Sequence, residues 1–288
     1  MDKLKQFYLK KRIAILSITM FCITEVVLGQ VNCFALFEKD SPEYCACMLI
    51  YGGKAEGKAR YQGAKESQAL CDSAISLFPA FADPYYTKAI PFLKRGEFDL
   101  WKTIIDKAVK YDTLAYLGYR AGAHFMFLRN YEEAINDIET LQLITGWDDL
   151  GTIYNGEYNL EIIRALSYRG LCDTLRAIEI LENHIQKTND AGLWGYYHLG
   201  VMYFQQKRYD DAKQALMKQL LNNEIADAYY YLSLIYETEK NIEFESAISK
   251  AYELYQSGKR IRGNNSFMDY PDKIYFLQIK EAMRKTKL

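Results

Sequence analysis

Asp148, Asp149 and Glu157 form an acidic cluster in a stretch of loop composition, and a reaction would be sought there first. Two carboxylates roughly 5–9.5 Å apart across a cleft can hydrolyse a glycoside, but adjacent aspartates in a turn serve as readily as helix caps. General-base material is sparse, since the histidines are His124, His184 and His198, far apart in the chain. Cys45 and Cys47 have the spacing of half a metal site. Zinc needs about four ligands at close spacing, and the histidines are too distant to complete such a set. Nothing resembles a nucleophile elbow, a phosphate loop, a zinc-protease helix or a dinucleotide fingerprint. The chain is therefore expected to be no enzyme, with no catalytic residue, metal or cofactor. A glycosidase-like reaction at Asp148-Asp149 is the enzymatic alternative.

The elements that would position these residues follow from a repeat. A unit of about 34 residues recurs through most of the chain. Its best copy spans residues 193–225 and reads Trp194-Gly195-Tyr196-Tyr197-His198-Leu199-Gly200-Val201-Met202-Tyr203. A turn follows at Lys207-Arg208-Tyr209, then Asp210-Asp211-Ala212-Lys213-Gln214-Ala215-Leu216. Ala212 is the small residue of the second helix; Ala134, Ala177 and Ala247 take its place in other copies, and Trp101 in an earlier one. On first helices the small position holds Gly200, Gly122, Ala89, Ala165 and Ser233. One turn on, along the same face, come Tyr203, Phe125, Phe92, Tyr168 and Tyr236. Small residues on facing sides let two helix axes approach to about 8–10 Å.

Six units are read at 48–81, 82–114, 115–147, 158–192, 193–225 and 226–260. The first is the weakest, because Gly52, Gly53 and Gly57 each cost its opening helix ~1 kcal/mol relative to Ala. The interval from Ala134 to Ala177 exceeds the period by about nine residues, which places an insertion near 144–157, either a ligand-reaching loop or a tolerated surface addition. After the loop-like Arg262-Gly263-Asn264-Asn265-Ser266, the residues Ile274, Phe276, Leu277, Ile279 and Met283 recur at helical spacing. Residues 261–288 are read as a loop and a helix capping the last unit's apolar face.

This pattern resembles the tetratricopeptide repeat. The resemblance implies an all-α, right-handed α-solenoid of antiparallel helix hairpins with a C-terminal capping helix. It also implies a concave surface made mainly by the first helices. In that register the partner-binding groove holds Tyr86, Tyr116, Tyr119, Phe127, Trp194, Tyr197, Phe204 and Tyr230, with Arg120 and His198 flanking. Tyr203, Tyr168 and Tyr236 are read as packing residues. The Lys, Asn and Arg clamp with which some members hold acidic chaperone tails is not matched. Tyr and Trp bury large areas with few rotatable bonds and keep a polar tip, so the expected ligand is a peptide or partner subunit. Sugar rings also stack on such side chains, which keeps a glycan as the alternative ligand.

Charge and the N-terminus bear on compartment. The formal net charge is −1 with signs interspersed, so there is no footprint for nucleic acid. Residues 1–29 have the layout of a signal peptide: Lys3, Lys5, Lys10, Lys11 and Arg12, an apolar run over 13–28, and Val27 and Gly29 before Gln30. The alternative is a retained anchor, but the run is under the ~20 residues that span a bilayer and carries Glu25. Residues 30–47 are a lead-in segment. Cys33, Cys45, Cys47 and Cys71 cluster before Asp72 while Cys172 stands apart, so one or two bridges are expected to clamp the N-terminal end. Asp72-Ser73-Ala74, Asp112-Thr113-Leu114 and Asp173-Thr174-Leu175 match a bacterial O-glycosylation pattern, with helix capping as the structural alternative. The combined expectation is an exported protein of the periplasm or cell envelope, with no membrane span after cleavage. Its expected role is that of a non-enzymatic scaffold or adaptor in a bacterial cell-envelope assembly.

Overall fold

The computed structural model describes residues 31–52, 61–147, 149–153, 158–261 and 270–285. The fold is an all-α solenoid of helix hairpins in series, and the chain falls into two compact units, Met1–Tyr116 and Leu117–Leu288.

The first unit contains α1 (Cys33–Leu36), α2 (Pro42–Tyr51), α3 (Lys65–Leu77), α4 (Ala82–Arg95) and α5 (Phe98–Tyr111). Ser41 starts α2 by accepting the Tyr44 N–H at its hydroxyl, with Pro42 in the first turn, where a missing N–H costs nothing. A disulfide joins Cys33 to Cys47 and ties α1 to α2. It lies in a small core with Tyr44, Ala46, Ala74 and Phe81. α4 ends at Gly96, whose φ of 78° is the left-handed conformation that helix ends use. Ala89 of α4 and Trp101, Ile105 and Ala108 of α5 are fully buried. Asp83, in the first turn of α4, is also buried and accepts hydroxyl hydrogen bonds from both Tyr51 and Tyr116.

The second unit begins within α6 (Thr113–Ala123), which ends in a π-turn, His124–Leu128. It continues with α7 (Tyr131–Thr145), the two-residue strands β1 (Thr152–Ile153) and β2 (Tyr158–Asn159), α8 (Leu160–Gly170), α9 (Thr174–Thr188), α10 (Gly195–Gln205), α11 (Tyr209–Asn222), α12 (Ala226–Thr238), α13 (Glu243–Ser257) and α14 (Phe276–Arg284). The pairs α8/α9, α10/α11 and α12/α13 pack as hairpins. Their crossings bury Ala165, Ala177, Gly200, Ala212, Ser233 and Ala247. Side-chain oxygens cap several starts: Asn130 for α7, Asn159 for α8 and Asp173 for α9. Asp112 likewise accepts the Ala115 N–H at the start of α6. The Asp-Thr pairs at 112 and 173 are thus capping sites, whereas Asp72 lies inside α3. Ile279 and Ala282 of α14 cover Tyr230, Ile248, Ala251 and Leu254.

Four features depart from the sequence expectations. The helix that precedes α3 is Pro42–Tyr51, which begins in the segment read as a lead-in and runs into the first unit, because the Ser41-Pro42 start signal outweighs the register set further along. An antiparallel ribbon joins the insertion to the start of the fourth unit, with Thr152 opposite Asn159 and Ile153 opposite Tyr158. Leu277, assigned to the covering face of the cap, points into solvent. Cys47 is in a disulfide and has no thiolate to offer a metal. Residues 1–29, Asp148 and Glu157 lie outside the described residues. No helix among the described residues is long and apolar enough to cross a membrane.

The α10/α11 crossing gives a sharp test of close packing. A Cβ built on Gly200 would stand 2.7 Å from Leu216 Cγ and 3.4 Å from the Ala212 carbonyl oxygen. Helix propensity alone favours alanine by ~1 kcal/mol, while overpacking costs ~1–3 kcal/mol. Gly200→Ala is therefore expected to lower the denaturant midpoint; a raised midpoint would show that the crossing has slack.

Candidate functional site

The aromatic positions singled out in the sequence fall into two groups. Tyr86, Tyr119, Phe127 and Phe204 are half-buried. Tyr116, Trp194, Tyr197, His198 and Tyr230 are buried, Tyr197 and His198 with no exposed surface and Trp194 and Tyr230 with 9%. An open groove at these five positions is not what the structure shows. Tyr116 donates to Asp83 and stacks on Tyr86 with ring centroids 4.9 Å apart. Tyr230 packs into the core beneath α14. Arg120 is no flank of a groove either. Its guanidinium makes two bonds to Asp137, 2.9 and 2.6 Å, tying α6 to α7. Among the tyrosines and tryptophans that could stack on a sugar ring, Trp194, Tyr197 and Tyr230 are buried.

What buries Tyr197 and His198 is the chain's own segment 270–274, which runs over α8, α10 and α12. Its turn has Pro271 followed by Asp272 at φ 59°, the combination a type II turn uses. The Asp272 carboxylate receives His198 Nδ1 at 2.7 Å and an Arg169 guanidinium nitrogen at 2.8 Å. Its backbone carbonyl accepts the Tyr197 hydroxyl. Tyr270 packs on Tyr158, centroids 6.0 Å apart, and the Tyr158 hydroxyl lies 3.2 Å from His198 Nε2. Asp227, in the first turn of α12, fixes the segment's approach and exit: its two oxygens accept the backbone N–H groups of Ile261 and Ile274, each at 3.0 Å.

The electrostatics are consistent with one protonation pattern. Burial lowers the His198 pKa, outweighing the raising effect of Asp272, and favours the neutral ring. A neutral ring that donates from Nδ1 to Asp272 leaves Nε2 free to accept from Tyr158. Burial alone would raise the Asp272 pKa; the His198 hydrogen bond and the Arg169 charge more than reverse this and hold it low. Burial also pushes Asp227 up to about 6, against the lowering effect of its two N–H donors. Tyr197 is raised well above its ordinary value, by burial first and by the Asp227 charge next. This arrangement holds a carboxylate; it presents no activated nucleophile beside a cleft.

The acidic turn of the insertion has a structural use. Asp149 accepts the Gly151 N–H at 2.9 Å and the Asn159 side-chain amide at 3.0 Å, and the Gly151 bond is the main cause of its lowered pKa. A cavity of about 500 Å³ lies elsewhere, lined by Asn189, Asp190, Leu193, Tyr196, Asn222 and Asn223 among others. None of the singled-out residues lines it. Among the described residues no group of three or more His, Cys, Asp or Glu could hold a metal ion.

Sequence reasoning missed Asp272, Arg169, Tyr158 and Asp227. One signal was available: Ala226-Asp227-Ala228-Tyr229-Tyr230 repeats the pattern of Ala82-Asp83-Pro84-Tyr85-Tyr86, with a buried aspartate in each first turn.

The buried pair predicts a pH effect. A histidine whose folded pKa is lowered contributes stability that is fully present above its unfolded value of 6.5 and is lost as pH falls through that value. Asp272, also lowered, adds a loss only below 3.8, while Asp227 works in the opposite sense between 3.8 and about 6. The difference in melting temperature between the parent and His198→Gln is therefore expected to shrink from pH 7 to pH 5. A constant difference would place the charge change elsewhere.

Comparison with known proteins finds likeness in structure. No protein-family model matches the sequence and no curated protein is similar to it. The PilF structure from Pseudomonas aeruginosa aligns with a TM-score of 0.61 at 13% identity, over 85% of this chain and 99% of that one. A tetratricopeptide repeat protein from Parabacteroides merdae aligns with a TM-score of 0.51 at 15% identity, over 87% of each chain. YrrB, described as a tetratricopeptide protein with an unusual peptide-binding site, aligns with a TM-score of 0.50 at 17% identity, over 76% of this chain and 98% of that one. With small residues at the α8/α9, α10/α11 and α12/α13 crossings and these structural neighbours, the chain has the fold of the tetratricopeptide-repeat proteins.

Proposed function

We propose that the protein is a non-enzymatic scaffold that binds a peptide or partner subunit on the face formed by its first helices, as an adaptor of a bacterial cell-envelope assembly. The observation that carries this reading is the seating of segment 270–274 on α8, α10 and α12 through Tyr197, His198 and Arg169. A face that holds one stretch of irregular backbone through directed side-chain bonds has the chemistry to hold another. YrrB, of similar fold, is described as having a peptide-binding site. The half-buried rings of Tyr86, Tyr119 and Phe204 remain as contact candidates.

Export is supported by the N-terminal layout and by the Cys33–Cys47 disulfide, since such bonds persist in oxidising compartments and are rare in the cytosol. The free thiols Cys45, Cys71 and Cys172 are compatible with it, burial having pushed Cys71 up to about 11 and made it a poor nucleophile.

Two measurements test the proposal. Protein purified from envelope fractions is expected to begin at Gln30; a chain that still begins at Met1 would remove the cleaved signal. A photocrosslinking residue at Phe204 or Tyr119 is expected to capture one recurrent partner from native envelopes, whereas the same residue at the exposed Leu221 is not. Equal capture from both faces, or none, would overturn the scaffold reading.

A further inference from the structure

We propose that Arg169, Tyr197 and His198 form a carboxylate-accepting site for an acidic peptide segment of a partner protein, and that residues 270–273 of the chain occupy this site until the partner replaces them. The inference rests on the scaffold reading and gives the partner a chemistry.

The occupant is held as a ligand is held. Its carboxylate meets one imidazole and one guanidinium, at 2.7 and 2.8 Å. Its carbonyl meets one phenol, and its aromatic ring lies against another. Charge-assisted bonds of this kind are stronger than neutral ones and strongly orienting. Among the described residues, Asp272 is the carboxylate within ion-pair distance of Arg169, whose side chain is only 17% exposed. Once Asp272 has left, Arg169 and His198 have lost the carboxylate that both were bonded to, and a second carboxylate restores the two charge-assisted bonds at once. The vacated face therefore selects a carboxylate over a neutral side chain.

The attachment of the segment permits the exchange. Asp227 holds the chain at Ile261 and again at Ile274, on either side of Asp272. Ile274 belongs to the core beneath α14 together with Ile279 and Ala282. Residues 270–273 can give up Arg169, Tyr197 and His198 while Ile274 and the capping helix keep their places. The contacts at risk include the bonds of Asp272 and the ring contact of Tyr270, whereas the Asp227 bonds and the apolar core beneath α14 stay.

The test uses the full-length protein and a capped tetrapeptide, acetyl-Tyr-Pro-Asp-Lys-amide, titrated by NMR. The peptide is expected to bind Asp272→Ala at least about tenfold more tightly than the parent, whose site is mostly filled by its own segment. The same peptide with asparagine for aspartate is expected to lose this advantage, and so is the Arg169→Ala/Asp272→Ala double variant. Equal binding by parent and variant, or by the aspartate and asparagine peptides, would overturn the proposal. Asp272→Asn, which tolerates the left-handed backbone, is the second variant should alanine disturb folding. If neither folds, as judged by circular dichroism, the segment is part of the core and the proposal falls. Partner capture by the parent protein, alongside a peptide that discriminates nothing, would leave the scaffold reading standing and remove this one.

Discussion

Buried carboxylates determine much of how this chain is arranged. A carboxylate withdrawn from water must find donors or lose its charge, so each one dictates what lies across it. In the first unit Asp83 of α4 draws in the hydroxyls of Tyr51 from α2 and Tyr116 from α6. In the second, Asp227 collects two backbone N–H groups far apart in sequence. Asp137 gathers Arg120 into a two-bond pair, and Asp272 brings together Arg169 and His198. Helix packing stacks the hairpins; Asp83 and Asp137 add directed bonds between helices, and Asp227 and Asp272 seat the irregular segment on α8, α10 and α12.

The same logic accounts for the excess of tyrosine over phenylalanine, 25 against 14. A ring at the aromatic position of the repeat would pack as well without its hydroxyl, yet several hydroxyls are put to use. Tyr168 of α8 donates to Glu139 of α7 at 2.9 Å, and Tyr203 of α10 donates to Glu182 of α9. Each joins a first helix to the second helix of the preceding hairpin. The hydroxyl thus adds a directed bond where dispersion alone would leave the crossing free to slide. The tyrosines at Tyr197 and Tyr116 are likewise tethered, which is why they do not line an open surface.

The hairpin series was legible in the sequence because its determinants are local and repeated. Gly200, Ala212, Ala177 and Ala165 are small residues buried where two helices cross, and such positions recur at the period of the unit. The start of α8 was legible less directly, since the two-residue strands before it carry no alternating pattern long enough to notice. The π-turn at His124–Leu128 likewise has no composition cue. The site was hardest to read. Whether Tyr197 faces solvent depends on a segment more than seventy residues later, and a register describes which face a residue is on without saying what covers that face. Asp272 belongs to no motif or repeat position; its left-handed backbone after Pro271 accompanies a carboxylate placed against His198. The pairing of Asp83 with Tyr116 was more accessible, because the two stand one repeat apart and the first-turn aspartate recurs at Asp227.

The capping helix has a consequence for the protein as a material. A stack of hairpins is a growing chain in miniature: whatever apolar surface the last hairpin presents would accept one more of the same kind, whether from this molecule or its neighbour. α14 lays Ile279 and Ala282 over Tyr230, Ile248 and Leu254 and turns charged residues such as Lys280 and Glu281 outward. It acts as a chain terminator does in a polymerisation, occupying the apolar face against which a further hairpin would otherwise pack.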